Sequence, residues 1–366
     1  MSTATADPWA AEPRFEEEKL AGLVRQLFES AGVGSDAAAQ ATHALLLADL
    51  RGIESHGVAR LPGYIRRLRG GMIDADAELT VDRESPSTIS FNANNGLGLI
   101  AARRAMERCI AKAEETGICM ATVRRSNHFG IAGTYALMAA ERGMGGMAMT
   151  NSSAIVVPMF SKEPMLGTNP LAFAVPTGGL PFCLDMSTAT VAFGKIEMAR
   201  RAGIPIPAGW GLDGNGRTTT DADAVQGLSP LGGTSEMCGH KGYGLGLMVE
   251  IFCSHLASNA WSHEIGASYV SDAPTEGTGH AFVAWRIDAF RDLDGFKRDI
   301  DGMLSTLRAN QVSDDYPGKQ VLIPGDPESE AEVRNRELGI PVRRTVLRQM
   351  AEVAGECGVA FPFAVG

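Results

Sequence analysis

Near residue 87 the spacing of apolar residues changes from the period of a helix to that of a strand. A chain that carries both patterns in succession folds as a helical unit joined to an α/β unit. Before that point Leu20, Leu23, Val24 and Leu27 recur at helical spacing, and Gly32 and Gly34 end the run. Ser35-Asp36 then caps a second helix through Ala44, Leu45 and Ala48 that breaks at Gly52. A third helix around Tyr64 to Leu68 stops at Gly70-Gly71. Residues 1–14 show no periodicity and read as a loose arm, so the expected helical domain runs over 15–85.

After the switch, Ser87 to Asn92 alternates as a strand, 99–115 reads as a helix, and Ile118 to Val123 is a buried strand. Further strands are expected at Gly146 to Thr150, Leu171 to Val175, Phe182 to Met186 and Ala281 to Ile287. Helices are expected near 131–142, 189–202, 241–258 and 291–309. Strands outnumber what βαβ alternation supplies, which points to a mixed sheet. The α/β domain is placed at 86–314, with a helical subdomain around 190–262, and a C-terminal helix from Val342 to Cys357 falls in a segment, 315–366, expected to complete the helical domain.

Composition excludes several functions. No apolar stretch approaches the ~18 to 20 uncharged residues of a membrane helix, and the N-terminal residues lack the basic start and apolar core of an export signal. The expected location is the cytoplasm. Six cysteines without a C-x-x-C pair argue against a disulfide framework or a zinc site, so no metal is expected. A formal net charge of -10 argues against nucleic acid.

Gly96-Leu97-Gly98-Leu99-Ile100-Ala101 matches G-x-G-x-x-A, after a strand and at the start of a helix, as a dinucleotide phosphate loop requires. Against it, the next strand ends in Val123-Arg124-Arg125 and offers no carboxylate for ribose hydroxyls. A plain helix-start turn is the competing reading, in a chain with 43 glycines.

Four other segments carry chemistry. Glu54-Ser55-His56-Gly57-Val58-Ala59-Arg60 puts an imidazole that titrates near neutral pH beside a guanidinium that forks onto carboxylates. The bland alternative is a histidine at a helix end and a surface arginine. Asn127 and His128 lie where a strand hands over to a helix, the edge at which α/β proteins bind ligands, or else Asn127 is a cap. Thr168 and Asn169 precede Leu184-Asp185-Met186-Ser187-Thr188, in which Asp185 ends an apolar strand. A carboxylate there needs a cation, a histidine such as His56, or a helix end to cap. His240-Lys241 opens a glycine-rich helix, a place for dinucleotide phosphates or for a solvated lysine on a turn.

Taken in order, SHGVAR, SNHFGIAGTYALMA, GTNPLAFAVP, LDMSTATVAFGKI, IPAGWGLDGNGRTTTD, GHKGYGLGLMVEI and IPGDPE resemble the malate/L-lactate dehydrogenase type 2 family. This group is similar to ureidoglycolate, sulfolactate and 2,3-diketogulonate enzymes and to cyclic ketimine reductases, and the likeness spans residues 15–362. It implies an α/β, non-Rossmann nicotinamide-binding fold with a mixed, largely antiparallel sheet, a helical domain made from both termini, and a homodimer. It also implies that the glycine pattern at 96–101 is a helix start.

By position, the resemblance makes His56 the proton donor and acceptor with Ser55 beside it, and Arg60 the grip on a small-molecule carboxylate. His128 matches a second acid or base, Asp185 the aspartate that supports the Ser-His pair, and Thr168 a substrate contact. Asn169, Leu184, Met186, Ser187, Thr188, His240, Lys241, Gly325, Asp326 and Pro327 match stretches that line the cofactor, NAD or NADP. One departure stands out: Gly233 to Lys241 is longer than the Gly-Pro-Lys-Gly form found in several members.

The reaction so implied is hydride transfer at the alpha carbon of a 2-hydroxy or 2-oxo acid, with protonated His56 donating to the alkoxide and Asp185 keeping it charged. Reduction of a cyclic imine needs the same parts. A hydrolytic triad of Ser55, His56 and Asp185 is a poor rival, since adjacent side chains diverge and no G-x-S-x-G elbow exists.

Overall fold

Order along the chain follows from where apolar faces form and where glycine or proline ends them; the computed structural model describes residues 12–265 and 277–364. A two-residue strand, β1 (Arg14–Phe15), leads into α1 (Glu17–Ser30) and α2 (Ser35–Leu50). Two single 3-10 turns, Glu54–His56 and Val58–Arg60, then run into α3 (Leu61–Arg69). Next come β2 (Thr80–Glu84), β3 (Thr88–Asn92), α4 (Gly98–Thr116), β4 (Ile118–Ser126), α5 (Gly133–Ala140) and β5 (Met144–Thr150). The middle of the chain forms β6 (Leu171–Val175), β7 (Phe182–Met186), α6 (Phe193–Ala202), β8 (Gly211–Leu212), β9 (Thr218–Thr219), β10 (Gly227–Leu228) and α7 (Gly239–Glu250). A π-helical turn, Ile251–His255, extends α7 before β11 (Thr278–Arg286) and α8 (Leu293–Arg308). The chain closes with α9 (Asp326–Leu338), β12 (Ile340–Pro341) and α10 (Arg344–Cys357).

The chain divides into two units, one of residues Met1–Asp76 with Gly325–Gly366 and one of Ala77–Pro324. In the first, α1 buries Leu20, Leu23, Val24, Leu27 and Phe28 along one stripe. Its two chain segments are laced by specific bonds. The Asn335 side chain donates to the Leu50 carbonyl at 2.9 Å, and Arg51 pairs with Glu332 at 3.1 Å. The Val342 N–H donates to the Pro13 carbonyl at 3.0 Å, and β1 pairs antiparallel with β12. The expected loose arm is therefore shorter than 1–14, since residues 13 and 14 are held by these pairings; residues 1–11 lie outside the described residues.

The second unit is built on a seven-stranded sheet in the order β2-β3-β4-β11-β5-β6-β7. Among the described residues of this sheet only β3 and β4 pair in parallel, across the α4 crossover, so it is mixed and largely antiparallel. Cys119, Ala121 and Val123 of β4 face a core shared with α4 and α5, while Met120 faces Val249 and Cys253 on the other side. Apolar residues on successive positions are what a strand covered on both faces requires. The unit starts at residue 77 rather than 86, because β2 hairpins onto β3 and is pulled into the sheet. It ends at 324 rather than 314.

The segment expected to be helical, 190–262, also contains a three-stranded sheet, β10-β8-β9. The cause is the Gly/Asp/Thr-rich stretch: the Asp213 carboxylate accepts from the Asn215 and Arg217 N–H groups at 2.8 and 3.0 Å, closing a tight turn between β8 and β9. These strands have their own small core, including Val156, Leu166, Ile196, Ile206 and Leu228. Among the described residues no helix is long and apolar enough to cross a membrane.

Candidate active site

Within the first unit, the break of α2 at Gly52 and the two 3-10 turns gather Ser55, His56 and Arg60. Ser55 Oγ and His56 Nδ1 are 2.9 Å apart, and the Arg60 guanidinium Nε donates to the Ser55 carbonyl at 2.7 Å. Hydroxyl, imidazole and guanidinium are thus held on one rigid turn. Glu54 anchors it from one side, forked by Arg343 at 2.6 and 2.7 Å. Asp49 anchors it from below, its buried carboxyl accepting from the Val58 N–H at 2.8 Å. A Cβ at Gly57 would fall inside that carboxyl, so glycine is required here for space and not for its backbone angle.

Burial, and secondarily the charge of Arg60, hold the His56 pKa down at about 4. The imidazole of the unliganded chain is therefore neutral at pH 7. The Asp49 carboxyl is displaced the other way, well above the usual carboxylate range, by burial opposed by the Val58 N–H.

Elsewhere in this unit, Gly325 takes a left-handed conformation and starts α9, with Asp326 and Pro327 in its first turn.

In the second unit the other predicted residues cluster around the ends of β4, β6 and β7. Asp185 ends β7 and accepts from the Gly133 N–H at 2.7 Å, at the first residue of α5. It thus caps α5, not the helix following β7, and is stabilised by the positive end of that helix. His128 is half-buried, its Nδ1 accepting weakly from the Gly130 N–H at 3.4 Å. Asn127 is buried, and its side chain donates to the Gly96 and Asn95 carbonyls at 2.9 and 3.2 Å. A Cβ at Gly98 would collide with the carbonyls of Asn127 and His128. The open face of the glycine pattern at 96–101 is therefore filled by the chain's own backbone, as a helix-start turn demands.

Thr168 lies between two loops. Its N–H donates to Ser152 Oγ at 3.1 Å, and its carbonyl accepts from the N–H and hydroxyl of Thr188 at 2.9 and 3.1 Å. Asn169, expected as a cofactor contact, is fully buried and its side chain is spent within the protein. It donates to the Gly246 carbonyl at 3.0 Å and to Glu250 at 2.8 Å. The Thr188 hydroxyl is likewise turned inward. These two side chains frame the loops and leave Leu184, Met186 and Ser187, all half-buried, as the members of that stretch with surface to offer.

Behind the frame lies a residue that motif reading missed. Glu250 is buried at 3 % exposure with no cation beside it among the described ion pairs. Its two carboxyl oxygens accept from Asn151, Asn169 and the Ser262 N–H and hydroxyl. A carboxyl group so placed is tolerable because hydrogen-bond donors meet both of its oxygens. A lone glutamate in the apolar run GLGLMVEIF was the available signal. A second missed residue is His280 on β11, fully buried between Ser126 and Thr150 at 2.8 Å each and stacked on Phe129. Burial holds its pKa at about 3.

His240 and Lys241 are exposed in the first turn of α7. The preceding stretch, longer than expected, is a closed turn in which the Gly239 N–H returns to the Thr234 carbonyl at 2.9 Å and Cys238 is left-handed. A cationic side chain on the N-terminal turn of a 12-residue helix is a donor set that fits a phosphate-bearing nucleotide. Among the described residues no cluster of three or more His, Cys, Asp or Glu is placed to hold a metal.

The sequence profile of the malate/L-lactate dehydrogenase family matches residues 15–351. The malate dehydrogenase of Pyrococcus horikoshii is 39% identical over 352 residues, covering 94% of this chain and 96% of that protein. The structure of malate dehydrogenase from Pyrococcus horikoshii OT3 superposes with a TM-score of 0.88 at 36% identity, covering 95% of this chain and 97% of the other. A (2R)-3-sulfolactate dehydrogenase (NADP(+)) of Chromohalobacter salexigens is 35% identical over 76% of this chain and 82% of its own. The delta1-piperideine-2-carboxylate reductase of Pseudomonas syringae superposes with a TM-score of 0.80 at 28% identity, covering 93% and 100%. With a family profile over nearly its whole length and relatives matched end to end, the chain belongs to the malate/L-lactate dehydrogenase family.

Proposed function

We propose that this dehydrogenase transfers a hydride between NAD or NADP and the alpha carbon of a small 2-hydroxy or 2-oxo acid. The observation that supports it is the turn on which Ser55, His56 and Arg60 are held together by hydrogen bonds of 2.9 and 2.7 Å. When bound, nicotinamide supplies the hydride acceptor or donor. The chain's own residues supply the rest. Arg60 grips the substrate carboxylate, and His56 exchanges a proton with the substrate oxygen through Nε2.

The neutral imidazole is ready to act as the base in oxidation. In reduction, the substrate carboxylate neutralises the Arg60 charge that helps to hold the His56 pKa down. Protonated imidazole is then less penalised in the complex than in the free protein. Ser55 Oγ can accept from or donate to Nδ1, so it serves both protonation states. Asp185 keeps its proposed role as a supporting aspartate, His128 is proposed as a second acid or base, and Thr168 as a substrate contact. Met186, Ser187, His240, Lys241 and the Gly325-Asp326-Pro327 turn are proposed to hold the cofactor, with Lys241 at a phosphate. The active form is proposed to be a homodimer.

A panel of pyruvate, oxaloacetate, 2-oxoglutarate and cyclic imino acids, assayed with NADH and NADPH, tests the assignment. His56→Ala is expected to lower turnover by roughly 10²- to 10⁴-fold with cofactor affinity retained. Undiminished turnover in that variant would refute the role of the imidazole. A second reading is favoured by the likeness to the delta1-piperideine-2-carboxylate reductase, namely reduction of a cyclic imine. It requires turnover with the imino acids to exceed that with every 2-oxo acid tried.

A further inference from the structure

Asp49 is a buried acid that the reaction does not use, placed under the residues that do. It lies one residue from the end of α2, at 5 % exposure, and one carboxyl oxygen accepts from the Val58 N–H at 2.8 Å. The other is pressed against the bare Cα of Gly57, where any Cβ would overlap it. Its own carbonyl and that of Leu50 accept from the Asn335 side chain at 3.3 and 2.9 Å, which ties the end of α2 to α9. Gly57 and Val58 are two of the three residues between His56 and Arg60, and they sit at the junction of the two 3-10 turns. At that junction the chain has no continuous helical ladder. The Gly57 N–H returns to Glu54, the Arg60 N–H to Gly57, and the Val58 N–H goes to Asp49.

We propose that Asp49 is a positioning residue: by holding the Gly57-Val58 junction, it fixes the angle at which the His56 imidazole and the Arg60 guanidinium are presented together. This rests on the reading of His56 and Arg60 given above. The acceptor oxygen does the holding and the absent Cβ at Gly57 makes room for it, so the two residues act as one device. Glu54 and Arg343 fix the start of the turn, but neither reaches Val58 in the described contacts.

The test compares Asp49→Ala, Asp49→Asn and Gly57→Ala, each checked for folding by circular dichroism. A displacement of about 1 Å in a catalytic group costs about 10²-fold. Asp49→Ala is therefore expected to lose about 10²-fold in turnover while keeping cofactor affinity. Asp49→Asn, which retains an acceptor for the Val58 N–H, is expected to recover most of that loss. Gly57→Ala is expected to resemble Asp49→Ala, and stands in for it if the alanine variant does not fold. A folded Asp49→Ala or Gly57→Ala enzyme with wild-type turnover overturns the proposal, as does an asparagine variant no better than alanine.

The His56 ring resonances, followed by NMR and assigned with His56→Ala, separate this idea from the proposed reaction. Displaced ring signals in Asp49→Ala uphold the positioning role even if no substrate in the panel turns over. Unmoved signals refute it even if the enzyme is active.

Discussion

His56, the proposed acid-base group, has an ionisation far from that of a free imidazole. Burial and Arg60 place its pKa at about 4, against an ordinary 6.5. Because kcat/KM reports the ionisations of the free enzyme, its acid limb in the oxidation direction is expected near pH 4. Initial rates after a pH jump would show this, and a limb near 6.5 would place the imidazole in an ordinary solvated setting. The same depression enters stability. A histidine neutral in the fold and protonated when unfolded contributes stability that is full above about 6.5 and is lost as the pH falls towards 4. His280, at about 3, extends that loss further into acid. At this scale the sequence was legible where neighbours in the chain set the geometry, as with Ser55, His56 and Arg60 gathered on one turn. It was not legible for Asp49 and Glu250, whose roles consist of backbone and side-chain partners distant in the chain, such as Asn335, 286 residues from Asp49, and Asn151, 99 residues from Glu250. Asn169 shows the opposite error: its motif position implied contact with a ligand, and its amide is consumed by Gly246 and Glu250.

Among elements, those with a periodic apolar pattern were legible to within a few residues, while β2 and α9 were missed. β6 and β7 fall where alternation placed them. β2, all of whose residues are exposed, exists only through its pairing with β3, and no apolar pattern announces an edge of that kind. α9 buries only Ala331 and Asn335, too little for a periodic signal, although Pro327 marks its first turn. The start of α4 carries a prediction that separates two readings of one motif. Alanine at Gly98 gains helix propensity of about 1 kcal/mol but collides with the Asn127 and His128 carbonyls, and such overpacking costs roughly 1–3 kcal/mol. Gly98→Ala is therefore expected to lower the denaturation midpoint and leave cofactor affinity unchanged. A phosphate loop would give the reverse, loss of affinity with stability kept.

For the whole molecule, the change of period lies near residue 87 and the second unit begins at Ala77, because strand pairing recruits β2 into it. What motif spacing cannot convey is which nicotinamide is preferred, since that depends on the surface facing the ribose 2′-position and not on any residue type in isolation. Binding linkage gives a direct measurement. A ligand that binds only the folded chain adds about 2.7 kcal/mol of stability at one hundred times its Kd. The preferred cofactor is therefore expected to raise the unfolding temperature by several degrees at a concentration where the other has a smaller effect. Lys241 is exposed at the start of α7, and its proposed contact is with a phosphate that both cofactors share. Lys241→Ala should thus shrink the two temperature shifts together and leave their order intact, while added salt mimics the variant by screening the same attraction. A shift lost for one cofactor alone would move Lys241 to the ribose, and no shift with either in the wild-type chain would remove the nicotinamide from the proposal.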